Sequence, residues 1–154
     1  GFFQAQAFFC AMFATPALVA AANPSPLGWP EALAVSLWIV AIGGESAADR
    51  QLESFRKDPA NQGAVCRRGL WRYSRHPNYF FEWMHWWSYV CLGWAGPAGW
   101  LTLAGPAAML FLILKVTGIP PTEAQALSKR GDAYRLYQRE VSAFFPWFPK
   151  GSRG

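Results

Sequence analysis

Basic residues are missing from two long stretches of this chain: none precedes Arg50, and none lies between Arg75 and Lys115. Most of the aromatic residues sit in those stretches, away from the cations, which argues against a nucleic-acid partner. Cysteine is scarce. Cys10, Cys66 and Cys91 form no close pair and no metal spacing, so free thiols are expected, with a reduced compartment for Cys66. Histidine is scarcer still: His76 and His85 stand nine apart with no cysteine placed to join them, which excludes an ordinary zinc site. No glycine-rich dinucleotide fingerprint and no P-loop occurs, so a nucleotide would need an unconventional, helical site. Internal repeats and low-complexity tracts are absent too. The sequence starts at Gly1 without a methionine or a basic leader, so residues 1–22 do not read as a signal peptide, and a start inside a longer protein is expected.

What is present is apolar. The chain has 154 residues, 53% of them hydrophobic and 17% aromatic, and only 15% are charged. That length suits one domain with a sizeable core. Nine Trp and twelve Phe are too many for a typical soluble domain of this size, and the charges are segregated, so the chain reads as a single membrane domain over residues 1–154.

Taken in order, residues 1–22 carry no charge and are just long enough to span as a helix, with Pro16 as a tolerated kink. The tract at 23–30 is a turn by its prolines and glycine, with Trp29 suited to an interface. A second helix begins at Pro30 and Glu31, is apolar over 32–44, and continues past the membrane to about Phe55 on the spacing of Glu45, Asp49 and Glu53. Residues 56–75 are a basic loop broken at Pro59. A third span is expected over 78–93, a turn bracketed by tryptophans over 93–100, and a fourth span over 101–116. The tail over 117–154 is polar, with an N-capped helix opened by Pro120, Pro121 and Thr122. The fold class is thus all-α, a transmembrane bundle of about four spans, its basic loop and C-terminal helix on one side. All fourteen Lys and Arg fall in two blocks, 50–75 and 115–153, separated by one hairpin of spans. One topology therefore satisfies every charge, with both blocks cytoplasmic.

The densest cluster of polar chemistry runs from Gly69 to Glu82, GLWRYSRHPNYFFE. Arg72 and Arg75 can neutralise phosphate, and a guanidinium can grip it through a planar fork. Asn78, Glu82, His85 and Tyr89 follow at helical spacing and put four polar groups on one face of an otherwise greasy helix. A carboxylate a turn inside a span is expensive, so Glu82 points to a functional site or a buried pair. His85, between tryptophans, is equally read as a hydrogen bond to a neighbouring helix. The face of Glu45, Asp49 and Glu53 reads as solvated when taken alone, and the arginine set as a topology signal. In the tail, Glu123 is paired with Lys115, eight residues away, and Tyr134 and Tyr137 flank Arg135.

These residues resemble a known family. Ala48 with Asp49 and Gln51, then Gly69, Leu70 and Trp71, then Arg75, His76, Pro77, Asn78 and Tyr79, then Glu82 and Trp83 match the pattern of the DUF1295 proteins, bacterial relatives of the steroid 5α-reductase C-terminal domain. Gly118, Ile119 and Pro120 with Glu123, Arg130, Gly131, Tyr134 and Tyr137 continue it. The resemblance covers nearly the whole chain; a shorter part of the pattern is shared with isoprenylcysteine carboxyl methyltransferases and sterol reductases. It implies a bacterial inner-membrane oxidoreductase that uses NADPH to deliver hydride to the β-carbon of an α,β-unsaturated ketone in a small lipophilic substrate. By motif, Asp49 and Arg56 would meet the adenosine or its phosphates. Asn78, Tyr79 and Glu82 would line the nicotinamide end, with Arg75 and His76 at the cytoplasmic mouth; Arg72 is a further cofactor-binding candidate on its charge. Lys115, Glu123, Tyr134 and Tyr137 would close the cofactor from the tail side. The family's catalytic Glu and Tyr lie upstream of the matched region; Tyr79, Glu82 and His85 are the catalytic candidates within this chain. Lys115 stands where relatives often carry arginine, which weakens a bidentate phosphate contact there. Two other readings compete: an S-adenosylmethionine-dependent methyltransferase of a lipophilic thiol, and a non-catalytic membrane scaffold.

Overall fold

The computed structural model describes residues 1–151, so Arg153 of the second basic block lies outside the described residues. Every regular element among the described residues is helical. The α-helices are α1 (Phe2–Ala21), α2 (Trp29–Lys57), α3 (Pro77–Gly93), α4 (Ala104–Phe111) and α5 (Ile119–Glu140). Short 3₁₀ turns lie at Pro59–Asn61, Gly69–Arg72 and Gly99–Leu103, and a π turn at Leu112–Val116. Among the described residues, two helical runs are long and apolar enough to cross a membrane, Trp29–Lys57 and Gly99–Glu140; Gln6–Ala21 is apolar but shorter. The tail helix opens at the prolines as expected, with Gly118 at the N-cap and the Thr122 hydroxyl donating back to the Gly118 carbonyl at 2.8 Å. One element differs from the expectation. The stretch 101–116 is not one uniform helix, because the last turn widens to π geometry, with Thr117 N–H reaching Leu112 O at 2.9 Å.

The chain divides into two compact units. The first comprises Gly1–Ala41 and Trp83–Phe111. Its α1 packs on α4 and on the Gly99–Leu103 turn. Small residues make the contacts. A side chain at Gly105 would strike Trp86 at 2.7 Å and Pro16 at 3.0 Å, and one at Gly93 would strike Thr102 at 2.6 Å. Pro16 is buried inside α1, which runs unbroken through it. Trp83 donates its indole N–H to Pro106 O at 3.0 Å, and Asn23 donates to Leu92 O at 2.7 Å. Ala34 and Ala41 are fully buried while Phe3, Phe8, Leu18, Val35 and Ile39 are exposed. Large apolar side chains outside and small ones inside is the arrangement of helices packed in lipid, where close backbone approach replaces hydrophobic burial.

The second unit comprises Ile42–Glu82 and Leu112–Gly154. Its buried cluster is aromatic: Tyr134 and Tyr137 with Ala126 and Val141, joined by Val65 and Leu127. The basic loop folds back onto the end of α2. Trp71 donates its indole N–H to Ala48 O at 2.9 Å, and Gln51 accepts the Leu70 N–H at 2.8 Å. Gly69 makes that approach possible with φ of 56°, in the left-handed region, where a side chain would also collide with Gln51. A second left-handed glycine, Gly131 at φ 51°, kinks α5 between Arg130 and Asp132.

Candidate functional site

Three segments of the second unit converge on one cavity of about 250 Å³. The end of α2 contributes Asp49, Leu52, Phe55 and Arg56. The loop and the first turn of α3 contribute Cys66, Trp71, Arg75, His76, Asn78 and Tyr79. From α5 come Thr122, Ala126 and Arg130, four residues apart along one face before the kink at Gly131, and Tyr134 and Tyr137 after it. Pro77 opens α3, where its missing N–H costs nothing, so the two residues that follow it enter the helix at the cavity.

Asn78 is the most informative of these. Its Nδ2 donates to Asp49 Oδ1 at 3.1 Å. A carboxylate only accepts, so this bond fixes which end of the amide is nitrogen. The Asn78 Oδ1 that results is buried and has no partner among the described residues. Leaving such an acceptor unpaired costs about 1–3 kcal/mol, and native structures rarely tolerate it without a reason. A hydrogen-bond donor on a ligand removes that cost.

Behind the cavity wall stands Glu123. Its Oε1 accepts from Arg75 Nε at 2.6 Å, from His76 Nε2 at 3.3 Å and from Tyr134 Oη at 3.4 Å, while Oε2 accepts from Gln138 Nε2 at 2.8 Å. Burial alone would raise the carboxyl, but the bonds from His76, Arg75 and Gln138 and the charge of Arg75 outweigh it and hold Glu123 down at about 2. Arg75 is spoken for as well, with Nη1 donating to Gln138 O at 2.8 Å and Val141 O at 2.7 Å. Only Nη2 lacks a protein partner among the described residues, so the planar fork expected to grip phosphate is mostly engaged within the protein. Tyr134, pushed up to about 12 by burial and by the Glu123 charge, stays a neutral donor.

The remaining hydroxyls are sorted by their partners. Thr122 gives its proton to Gly118 O, so in the 3.2 Å contact of Tyr79 Oη with Thr122 Oγ1 the tyrosine donates. The Tyr79 ring stacks on His76 at 5.3 Å, 7° from parallel. Tyr137 donates to Trp71 O at 2.5 Å, with Ser74 O at 3.3 Å, and is almost wholly buried, so it fastens the loop. Burial pushes its phenol well up, and burial likewise pushes the Cys66 thiol up, so both are neutral.

Of the residues expected from sequence, Asp49, Arg56, Arg75, His76, Asn78, Tyr79, Tyr134 and Tyr137 line the cavity. Arg72, Glu82, Lys115 and Glu123 do not. Arg72 ends its 3₁₀ turn exposed, and Lys115 is exposed on the π turn. Two pairings need correction. Glu123 is bonded to Arg75 and His76 instead of Lys115, because the loop brings two buried donors to it. Asp49 and Asn78, expected at opposite ends of a dinucleotide, are in direct contact. Glu82 is half-buried in α3. His85 belongs to the first unit, where its ring packs on Tyr89 at 5.5 Å and Trp86 at 6.0 Å. Sequence reasoning did not select Thr122 or Arg130 as site residues, the latter donating Nε to Ala64 O at 2.9 Å; the four-residue spacing of Thr122, Ala126 and Arg130 was the signal for both.

A family profile described as protein of unknown function (DUF1295) matches residues 1–141. No curated protein and no solved structure matches the chain.

Proposed function

The chain belongs to the DUF1295 family, and from that premise we propose that it is a membrane-embedded, NADPH-dependent reductase of an α,β-unsaturated ketone in a steroid-like or other lipid. The observation that carries the reading is the unpaired Asn78 Oδ1, a buried acceptor on a residue that lines the same cavity as Arg56, Arg75 and Arg130, which a ligand meets once a small side-chain shift uncovers it. A buried acceptor beside guanidinium groups suits a ligand that carries both a hydrogen-bond donor and phosphates, which a nicotinamide dinucleotide does. The cavity, about 250 Å³, fits one end of such a molecule.

Within this reading Asn78 accepts from the carboxamide of the cofactor, and Asp49 holds the amide in the orientation that allows it. Arg56 and Arg130 neutralise phosphate, while Arg75, already braced by Glu123, adds positive potential. NADPH, when bound, supplies a hydride. Hydride addition at the β-carbon leaves an electron pair on the ketone oxygen, and a proton added at the α-carbon completes the saturated ketone. A group that polarises the oxygen is therefore needed. Tyr79 serves as that donor only if its proton leaves Thr122, so its role requires that the 3.2 Å contact open on substrate binding. Four spans over 1–22, 32–44, 78–93 and 101–116, with both basic blocks on the cytoplasmic side, belong to the same proposal.

Titration of the purified, detergent-solubilised chain with NADPH and with S-adenosylmethionine separates the readings. Saturable binding of NADPH alone is expected. Binding of S-adenosylmethionine alone identifies a methyltransferase instead, and binding of neither favours a scaffold.

A further inference from the structure

The segment after α5 closes on itself: Lys150 N–H donates to Glu140 O at 2.8 Å, making a compact loop of residues 140–150. Its base is well held. Val141 and Phe144 are buried, the Ser74 hydroxyl donates to Phe144 O at 2.9 Å, and Trp147 N–H donates to Tyr73 O at 2.9 Å. Yet the loop turns its largest side chains outward. Phe145 is 54% exposed, Trp147 72% and Phe148 76%. Pro146 and Pro149 bracket the last two, which limits the freedom by which they might fold away. A disordered tail exposes aromatics by default; a loop tied down at both ends exposes them as a fixed surface.

Charge says what the surface meets. Residues 141–150 hold no Asp or Glu. Arg139 and Lys150 line a hollow of about 380 Å³ with Trp147 and Phe148, and exposed Arg72 adjoins Tyr73, whose ring meets Phe148 edge-on at 5.9 Å. The nearby acid, Glu140, is already paired with Arg67 at 2.8 Å. Aromatic side chains ringed by cations without ion-pair partners among the described residues suit the boundary between headgroups and acyl chains of an anionic leaflet.

We infer that the loop 140–150 is a membrane-docking surface: Phe145, Trp147 and Phe148 seat in the headgroup–acyl boundary of an anionic leaflet while Arg72, Arg139 and Lys150 meet its phosphates. The inference rests on the membrane location proposed above and is independent of the reductase reading. Its test is nitroxide depth measurement on the full chain in vesicles of phosphatidylcholine with and without phosphatidylglycerol. Labels go at Phe148→Cys, at Asp132→Cys as an aqueous reference, and at Ile39→Cys on α2, in a Cys10→Ser, Cys66→Ala, Cys91→Ala background. The label at 148 is expected to shift from nickel-chelate-accessible to oxygen-accessible when the anionic lipid is present, and Arg139→Glu with Lys150→Glu should abolish the shift. An aqueous signal at 148 in both lipids overturns the docking surface, and so does protection from both reagents, which marks a protein partner. An aqueous signal at 39 overturns the membrane location itself. Where the cysteine-depleted background fails to fold, headgroup-proximal brominated lipid should quench the native protein more than Trp147→Phe; equal quenching counts against the inference.

Discussion

The two units of this chain are built on opposite principles. The first buries alanine, glycine and proline and exposes phenylalanine, valine and isoleucine. The second buries Trp71, Tyr134, Tyr137 and Phe144 and ties its loop down with side-chain hydrogen bonds. In the first, specificity comes from how closely backbones approach, a matter of steric fit. In the second it comes from matched donors and acceptors around one carboxylate. A unit held mainly by fit needs few polar side chains, such as Asn23 and Trp83 here, whereas a cavity that recognises a polar ligand needs many of them fixed in advance. The candidate site is accordingly confined to the second unit.

Substitutions can break each principle separately. The largest effect is expected from Glu123→Ala, which leaves Arg75 buried without its carboxylate and costs about 3–5 kcal/mol. Hydrogen exchange should quicken over 119–140 and leave α1 unchanged. Gly105→Leu attacks the other unit, forcing Trp86 and Pro16 apart; overpacking of this kind costs about 1–3 kcal/mol, and faster exchange should appear in α1 and α4. Gly131→Ala is milder. Nothing crowds the position, but its positive φ of 51° costs a side chain about 1–3 kcal/mol, read as a lower melting temperature without loss of helix content.

Acid sharpens the contrast with the smallest perturbation. Glu123 is held at about 2, below the ordinary carboxylate value of 4.5. A depressed folded-state value contributes stability that is complete above the unfolded value and lost as pH falls through the folded one. Lowering pH from 5 to 2 should therefore loosen the contacts of Arg75 and His76, with exchange rising over 73–76 and 119–140. In Glu123→Gln that acid-induced change should shrink.

Much of this was legible from residues alone. The uncharged stretches announced apolar helices, and Pro77 followed by Asn78 and Tyr79 marked where the polar chemistry begins. What sequence spacing could not supply was which partner a carboxylate chooses. Glu123 lies eight positions from Lys115 and forty-eight from Arg75, and local spacing favours the former. The fold-back of the loop, licensed by Gly69 and the Gln51 and Trp71 bonds, reverses that preference. Arg130 was named only as part of the family pattern with Gly131, and its four-residue spacing from Thr122 and Ala126 is what puts it at the cavity.

At the centre of this reading, the cavity around Asn78 holds one end of the dinucleotide. Its most direct test is the NADPH dissociation constant of Asn78→Ala beside that of Lys115→Ala, each checked for native melting. Loss of one buried hydrogen bond predicts about a tenfold weakening for Asn78→Ala, with Lys115→Ala within twofold of the unmodified chain. Equal weakening in both, or none at Asn78, would contradict the account.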